Sequence, residues 1–171
     1  MNLQDNDFIL FGLAEQFAQD RSRLDARWKE LQREAHPDKF AAQGAAAQRV
    51  AMQWSVRINE AYQRLKDPLA RAAYLCELRG APVQAHSNTA MPAQFLMQQM
   101  EWREALDDAE DALAVETLLT QVRAEQSDLL QQCTELLDQQ NDPKAAVSAV
   151  RALMFIDKFS QDLYQRLDQL E

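Results

Sequence analysis

The 171-residue chain holds only three glycines, five prolines, two cysteines and two histidines. So few glycines and prolines cannot supply the tight turns of an all-β fold, and isolated glycines cannot form a loop that cradles phosphates. Cys76 and Cys133 stand far apart, with neither the pattern of a disulfide framework nor metal-ligand spacing, so a reducing cytoplasm is the expected setting. Neither His36 nor His86 accompanies a Ser or Cys in a nucleophile arrangement. An enzyme is therefore a poor reading, and no catalytic residue, metal site or cofactor is expected. No stretch approaches the roughly 20 apolar residues of a membrane span, and the opening MNLQDND is polar, unlike a secretory signal. No membrane partner is expected.

What remains is helix-forming. Hydrophobic residues make up 47% of the chain and charged ones 26%, enough for a buried core in a soluble protein. The predicted class is all-α. Charge is unevenly spread: residues 1–79 carry 12 basic and 11 acidic side chains, whereas residues 80–171 carry 6 and 16. Such asymmetry predicts two modules with different partners. The acidic second half would repel a phosphate backbone, which argues against nucleic-acid binding.

The segment GAPVQAHSNTAMP gathers helix breakers without apolar periodicity. It predicts a linker over 80–92 between an N-terminal domain, 1–79, and a C-terminal domain, 93–171. Four helices are expected before it. A short one spans Asp7 to Leu13, ending near Gly12. The second runs from an N-cap at Asp20 to Ala35 with Leu24, Trp28, Leu31 and Ala35 on one stripe. His36-Pro37 stops that helix, since proline lacks an N–H and disfavours helical geometry before it. The third covers Ala45 to Lys66, with Val50, Trp54, Ile58, Ala61 and Leu65 inward. The fourth opens at Asp67-Pro68, a cap followed by proline at the first position. The second and third are long enough to pack antiparallel, which leaves His36 to Gly44 exposed at one end.

Three longer helices are expected after the linker. The first starts at Pro92 with Phe95, Trp102, Leu106 and Ala109 inward. The next, 111–139, aligns Val115, Leu119, Val122, Gln126, Leu129, Cys133 and Leu136. The last opens at Asp142-Pro143 and repeats the rhythm in Leu153, Ile156, Ser160, Leu163, Leu167 and Leu170. Three such stripes joined by short turns predict a three-helix bundle.

Two places carry recognition chemistry. In His36-Pro37-Asp38, proline stiffens the turn, so the flanking imidazole and carboxylate lose little entropy on binding, and Asp38 suits the fork of an arginine. In the first bundle helix, Met97, Met100, Glu101, Glu104 and Asp108 fall opposite the core direction, with Leu96 on the shoulder. Adaptable apolar side chains beside an acidic row suit a partner that is apolar with a basic rim.

A His-Pro-Asp turn between two long helices, with Asp67-Pro68-x-x-Arg71-x-x-Tyr74 at the next junction, resembles the J-domain of DnaJ-like co-chaperones. The resemblance implies that His36, Pro37 and Asp38, with Arg27, Arg33 and Lys39 beside them, meet an ATPase chaperone of the heat-shock protein 70 class. One departure is Ala35, where many J-domains carry tyrosine.

With the C-terminal runs Phe95-Leu96-Met97, Glu101-x-Arg103-Glu104 and Arg151 through Phe155-x-Asp157-Lys158, nearly the whole chain resembles the HscB family, J-domain co-chaperones of iron–sulfur cluster assembly. That resemblance implies HscA as the chaperone. It also implies that the bundle binds the scaffold protein IscU through Leu96, Met97, Met100, Glu101, Glu104, Asp108 and Phe155. Phe155 falls at the edge of its helix's core stripe, from which it could reach the surface. The competing readings are a general J-domain protein presenting unfolded clients and a structural helical protein whose tripeptide is incidental.

Overall fold

The computed structural model describes residues 2–83 and 91–171. The middle of the expected linker, residues 84–90 with His86, lies outside the described residues. Among the described residues seven α-helices run in the order α1 (Asp7–Phe11), α2 (Arg21–Glu34), α3 (Ala45–Lys66), α4 (Pro68–Leu78), α5 (Ala93–Asp108), α6 (Ala112–Cys133) and α7 (Pro143–Leu170). Among the described residues there is no strand, and no helix is long and apolar enough to cross a membrane. Two compact units, Met1–Leu75 and Cys76–Glu171, divide within α4.

The first unit is built on a helical hairpin. Asp20 caps α2 by accepting from the backbone N–H groups of Ser22 and Arg23, and Gly12 ends α1 at φ 64°, a left-handed position that suits glycine. Pairs across the hairpin rise along α2 as they fall along α3. Tyr62 donates to Asp25 at 2.7 Å, Trp28 Nε1 to Asn59 at 3.0 Å, and Ser55 to Gln32 at 2.9 Å. The helices are therefore antiparallel. Leu24, Leu31, Ile58, Ala61 and Leu65 are buried between them and the shorter helices. The expected α3 stripe differs at one end. Val50 is 50% exposed and Ala51 takes the buried place, because the hairpin opens there into a cleft rather than closing on a core.

Polar fasteners hold α1 and α4. Asp7 is fully buried, with its carboxylate 2.8 Å from both Arg57 and Arg64. The Asp7 backbone N–H donates to the Tyr74 hydroxyl at 3.0 Å, and Arg64 lies over the Tyr74 ring. Arg71 donates to the carbonyls of Phe17 and Leu65 while covering the Phe17 ring. The spacing Asp67-Pro68-x-x-Arg71-x-x-Tyr74 thus has an internal cause. Proline starts α4, and the two later side chains satisfy backbone groups of other segments.

The second unit is the bundle of α5, α6 and α7. α6 does not end where its stripe predicts. Residues Thr134–Gln139 form a π-helical turn, which widens the helix and shifts the inward position from Leu136 to Leu137. Asn141, at φ 50°, and the Asp142 cap then reverse the chain into α7. Along α7, Ala146, Val150, Leu153, Ile156, Phe159 and Leu163 are buried. Residues 76–83 also pack into this unit. Cys76 donates to the Pro143 carbonyl, Arg79 to the Leu137 carbonyl, and Arg151 makes two bonds to the Val83 carbonyl at 2.8 and 3.1 Å.

Candidate functional site

The His-Pro-Asp segment forms a 3-10 helix, Pro37–Gln43, rather than an irregular loop. Proline at its first position needs no hydrogen-bond partner, and His36 stands at the N-cap. Nδ1 of His36 accepts from the backbone N–H of Asp38 at 3.2 Å. In a neutral ring this leaves the proton on Nε2. The Asp38 carboxylate is not the cap: its side chain is 91% exposed and its oxygen lies 3.7 Å from His36 Nδ1. One group of the tripeptide organises the turn, and the other is left free to bind.

Trp28, Lys29, Gln32, Arg33, His36 and Lys39 line a shallow groove of about 540 Å³ beside this turn. The structure therefore brings together Arg33, Lys39 and His36 of the expected residues. Arg27 is placed elsewhere. Its Nε donates to the Phe11 carbonyl at 3.3 Å and its guanidinium pairs with Glu30 at 3.0 Å, which ties α2 to α1. The groove wall is stiffened from behind. Trp28 stacks on Tyr62 with ring centroids 4.5 Å apart, and Asp25 accepts from Tyr62 and from Arg21 at 2.9 Å. The Tyr62 hydrogen bond first, and Arg21 second, hold the Asp25 carboxyl below its ordinary range. Sequence periodicity marked Trp28 as core and did not single out Lys29, yet both border this groove.

The second surface lies on α5. Phe95 and Trp102 are buried, and they pack with Phe155 and Phe159 of α7 in an aromatic cluster. Opposite them, Met97 and Met100 are 63% and 72% exposed, and Leu96 is 44% exposed. Glu101, Glu104 and Asp108 are exposed on the same helix. Phe155 is half-buried. It stacks on Phe159 at 5.6 Å and meets the edge of Phe95 at 6.0 Å, with the Arg103 guanidinium 5.5 Å above its ring. An apolar strip bordered by carboxylates is thus backed by a rigid stack of rings. Among the described residues no group of three or more potential metal ligands occurs.

The chain is similar to known proteins over nearly its whole length. Residues 91–164 match the family model described as the HSCB C-terminal oligomerisation domain. Across 174 residues the chain is 47% identical to the co-chaperone protein HscB homolog of Burkholderia multivorans, covering 100% of this chain and 99% of that protein. The homolog of Cupriavidus taiwanensis is 49% identical over 172 residues, covering 99% and 97%. Two solved structures are also similar. The chaperone HscB from Vibrio cholerae has a TM-score of 0.83 at 38% identity, covering 98% of this chain and 100% of that one. The human co-chaperone protein HscB has a TM-score of 0.90 at 25% identity, covering 97% and 84%.

Proposed function

The chain belongs to the HscB co-chaperone family, and from that membership we propose that it is an adaptor of iron–sulfur cluster assembly with two docking surfaces. Its fold is an N-terminal J-domain followed by a C-terminal helical bundle. The Leu96, Met97, Met100 and Phe155 strip, with Glu101, Glu104 and Asp108, captures an IscU-like scaffold protein. The His36-Pro37-Asp38 turn, flanked by Arg33 and Lys39, engages an HscA-like chaperone of the heat-shock protein 70 class. Arg27 contributes there chiefly by holding α2 on α1.

The chain performs no bond chemistry in this scheme. Binding preferentially to the hydrolysis-competent state of the chaperone shifts that equilibrium and raises ATP turnover. Holding the scaffold on the same molecule raises its effective concentration at the chaperone, so neither contact needs to be tight.

The observation that carries this reading is the division of labour in the turn: His36 caps it through Nδ1 while the Asp38 carboxylate stands in solvent. The test is His36→Gln, assayed for ATPase stimulation and for scaffold binding. Stimulation is expected to disappear and scaffold binding to persist. Unchanged stimulation would refute the turn as the chaperone contact. Because the matched C-terminal model is described by oligomerisation, the scaffold assay also records mass: the reading expects one scaffold per chain, not a larger homo-oligomer.

A further inference from the structure

Besides the basic groove, the hairpin end opens into a separately lined cleft of about 370 Å³. Leu31, Phe40, Val50 and Trp54 are the large apolar side chains at its mouth and wall, with Ile58 beside them. Phe40 belongs to the same 3-10 helix that carries Asp38, so the cleft and the turn share one element. Ala35 contributes only a methyl group to the lining. Among the described residues no lysine or arginine lines the cleft, and its one charged group is Glu34, exposed at the end of α2.

A volume of that size accepts one or two large side chains, and an apolar wall with a single acid selects their chemistry. Such a lining suits an entrant with an apolar body and a basic group beside it to meet Glu34. Asp38, a few residues along the chain, asks for a cation as well. The two linings thus differ in sign: Lys29, Arg33 and Lys39 suit acidic groups, and the apolar cleft with Glu34 suits apolar and basic ones.

We propose that this cleft is a second chaperone contact, which receives an apolar side chain neighboured by a lysine or arginine from the same heat-shock-70-class partner that meets the turn. The inference rests on the turn being the chaperone site, and it adds the chemistry of the segment that lies against it. Continuity through Phe40 and the sign of Glu34 name the occupant as a basic-apolar segment rather than a second copy of this acidic chain.

Full-length variants are titrated into an HscA-like ATPase, and the concentration for half-maximal stimulation is read. Ala35→Phe fills the cleft from within. It is expected to raise the melting temperature while raising the half-maximal concentration about tenfold or more, a pairing that a purely structural role would not produce. Val50→Asp, at a half-exposed helical position that tolerates polarity, is expected to raise the half-maximal concentration similarly with little change in melting. Glu34→Gln is expected to weaken the contact several-fold at low salt and less at high salt. If Ala35→Phe and Val50→Asp both stimulate at the wild-type concentration while His36→Gln does not stimulate, the cleft is not a contact and the turn assignment survives. If His36→Gln stimulates normally, the underlying assignment fails instead. Competition for the cleft by an unfolded client peptide, without a change in chaperone response, would also overturn the proposal.

Discussion

The imidazole of His36 and the backbone amide of Asp38 are joined by a hydrogen bond of 3.2 Å, with Nδ1 as the acceptor. In the proposed role, cap and contact are separate functions of one ring, served by different nitrogens. His36→Asn tests this directly. Asparagine is a good N-cap whose side-chain oxygen can accept the same amide, but it has nothing at the Nε2 position. Thermal stability is expected to stay within about 0.5 kcal/mol of wild type, with ATPase stimulation lost. Melting curves and a coupled ATPase assay on the same preparation check both halves.

Asp7 is the structural pivot of the N-terminal unit, since its buried carboxylate receives both Arg57 and Arg64 at 2.8 Å. Asp7→Asn keeps the volume and removes the charge, leaving two guanidinium groups without their anion. Breaking a fully buried pair costs about 3–5 kcal/mol, and about 2–4 is expected here because the arginines keep some solvent contact. Urea denaturation followed by far-UV circular dichroism measures it. A loss below about 1 kcal/mol would show the network to be dispensable.

On the α5 surface, exposure separates two kinds of residue that periodicity groups together. Met97→Ala and Met100→Ala remove side chains already in water, so stability should change by no more than about 0.5 kcal/mol. Scaffold affinity should fall about tenfold or more. Phe155→Ala also removes a ring from the stack with Trp102 and Phe159, so an additional loss of about 2 kcal/mol in stability is expected. Calorimetric binding and melting of the three variants distinguish these outcomes.

Burial pushes the Cys76 thiol up to about 11 and the Cys133 thiol up to about 12. A neutral thiol is a poor nucleophile, so neither should react with a thiol-specific reagent at pH 8 in the folded protein, and both should react in denaturant. The same shifts set an alkaline limit. The unfolded chain loses these protons near pH 9 while the folded chain holds them, so their contribution is full below pH 9 and is lost as pH rises towards 11–12. Stability measured across that range should decline, and Cys76→Ala with Cys133→Ala should flatten the decline.

The helices were legible because their apolar residues recur at helical spacing and because Asp20, Asp67-Pro68 and Asp142-Pro143 mark their starts. The inward face was less legible wherever local geometry departs from 3.6 residues per turn or the neighbouring element stops short. The π-helical turn advances the inward position to Leu137, and the open hairpin end leaves Val50 exposed. Asp7 could not be read from the chain, since one acid in a five-residue helix has no periodicity and its partners lie some fifty residues away. Arg79 and Arg151 were invisible as fasteners for the same reason: each bonds a distant backbone carbonyl, which sequence spacing does not encode. The two candidate surfaces were legible because each breaks a local rule, one by placing proline between two long helices, the other by placing methionines opposite a core.

The central claim, two independent docking surfaces on one chain, is tested by measuring HscA-like and IscU-like binding in parallel for His36→Asn and for Met97→Ala with Met100→Ala. A double dissociation is expected, in which the first variant loses the chaperone and keeps the scaffold and the second does the reverse. Loss of both partners in either variant, or retention of both in each, would contradict it.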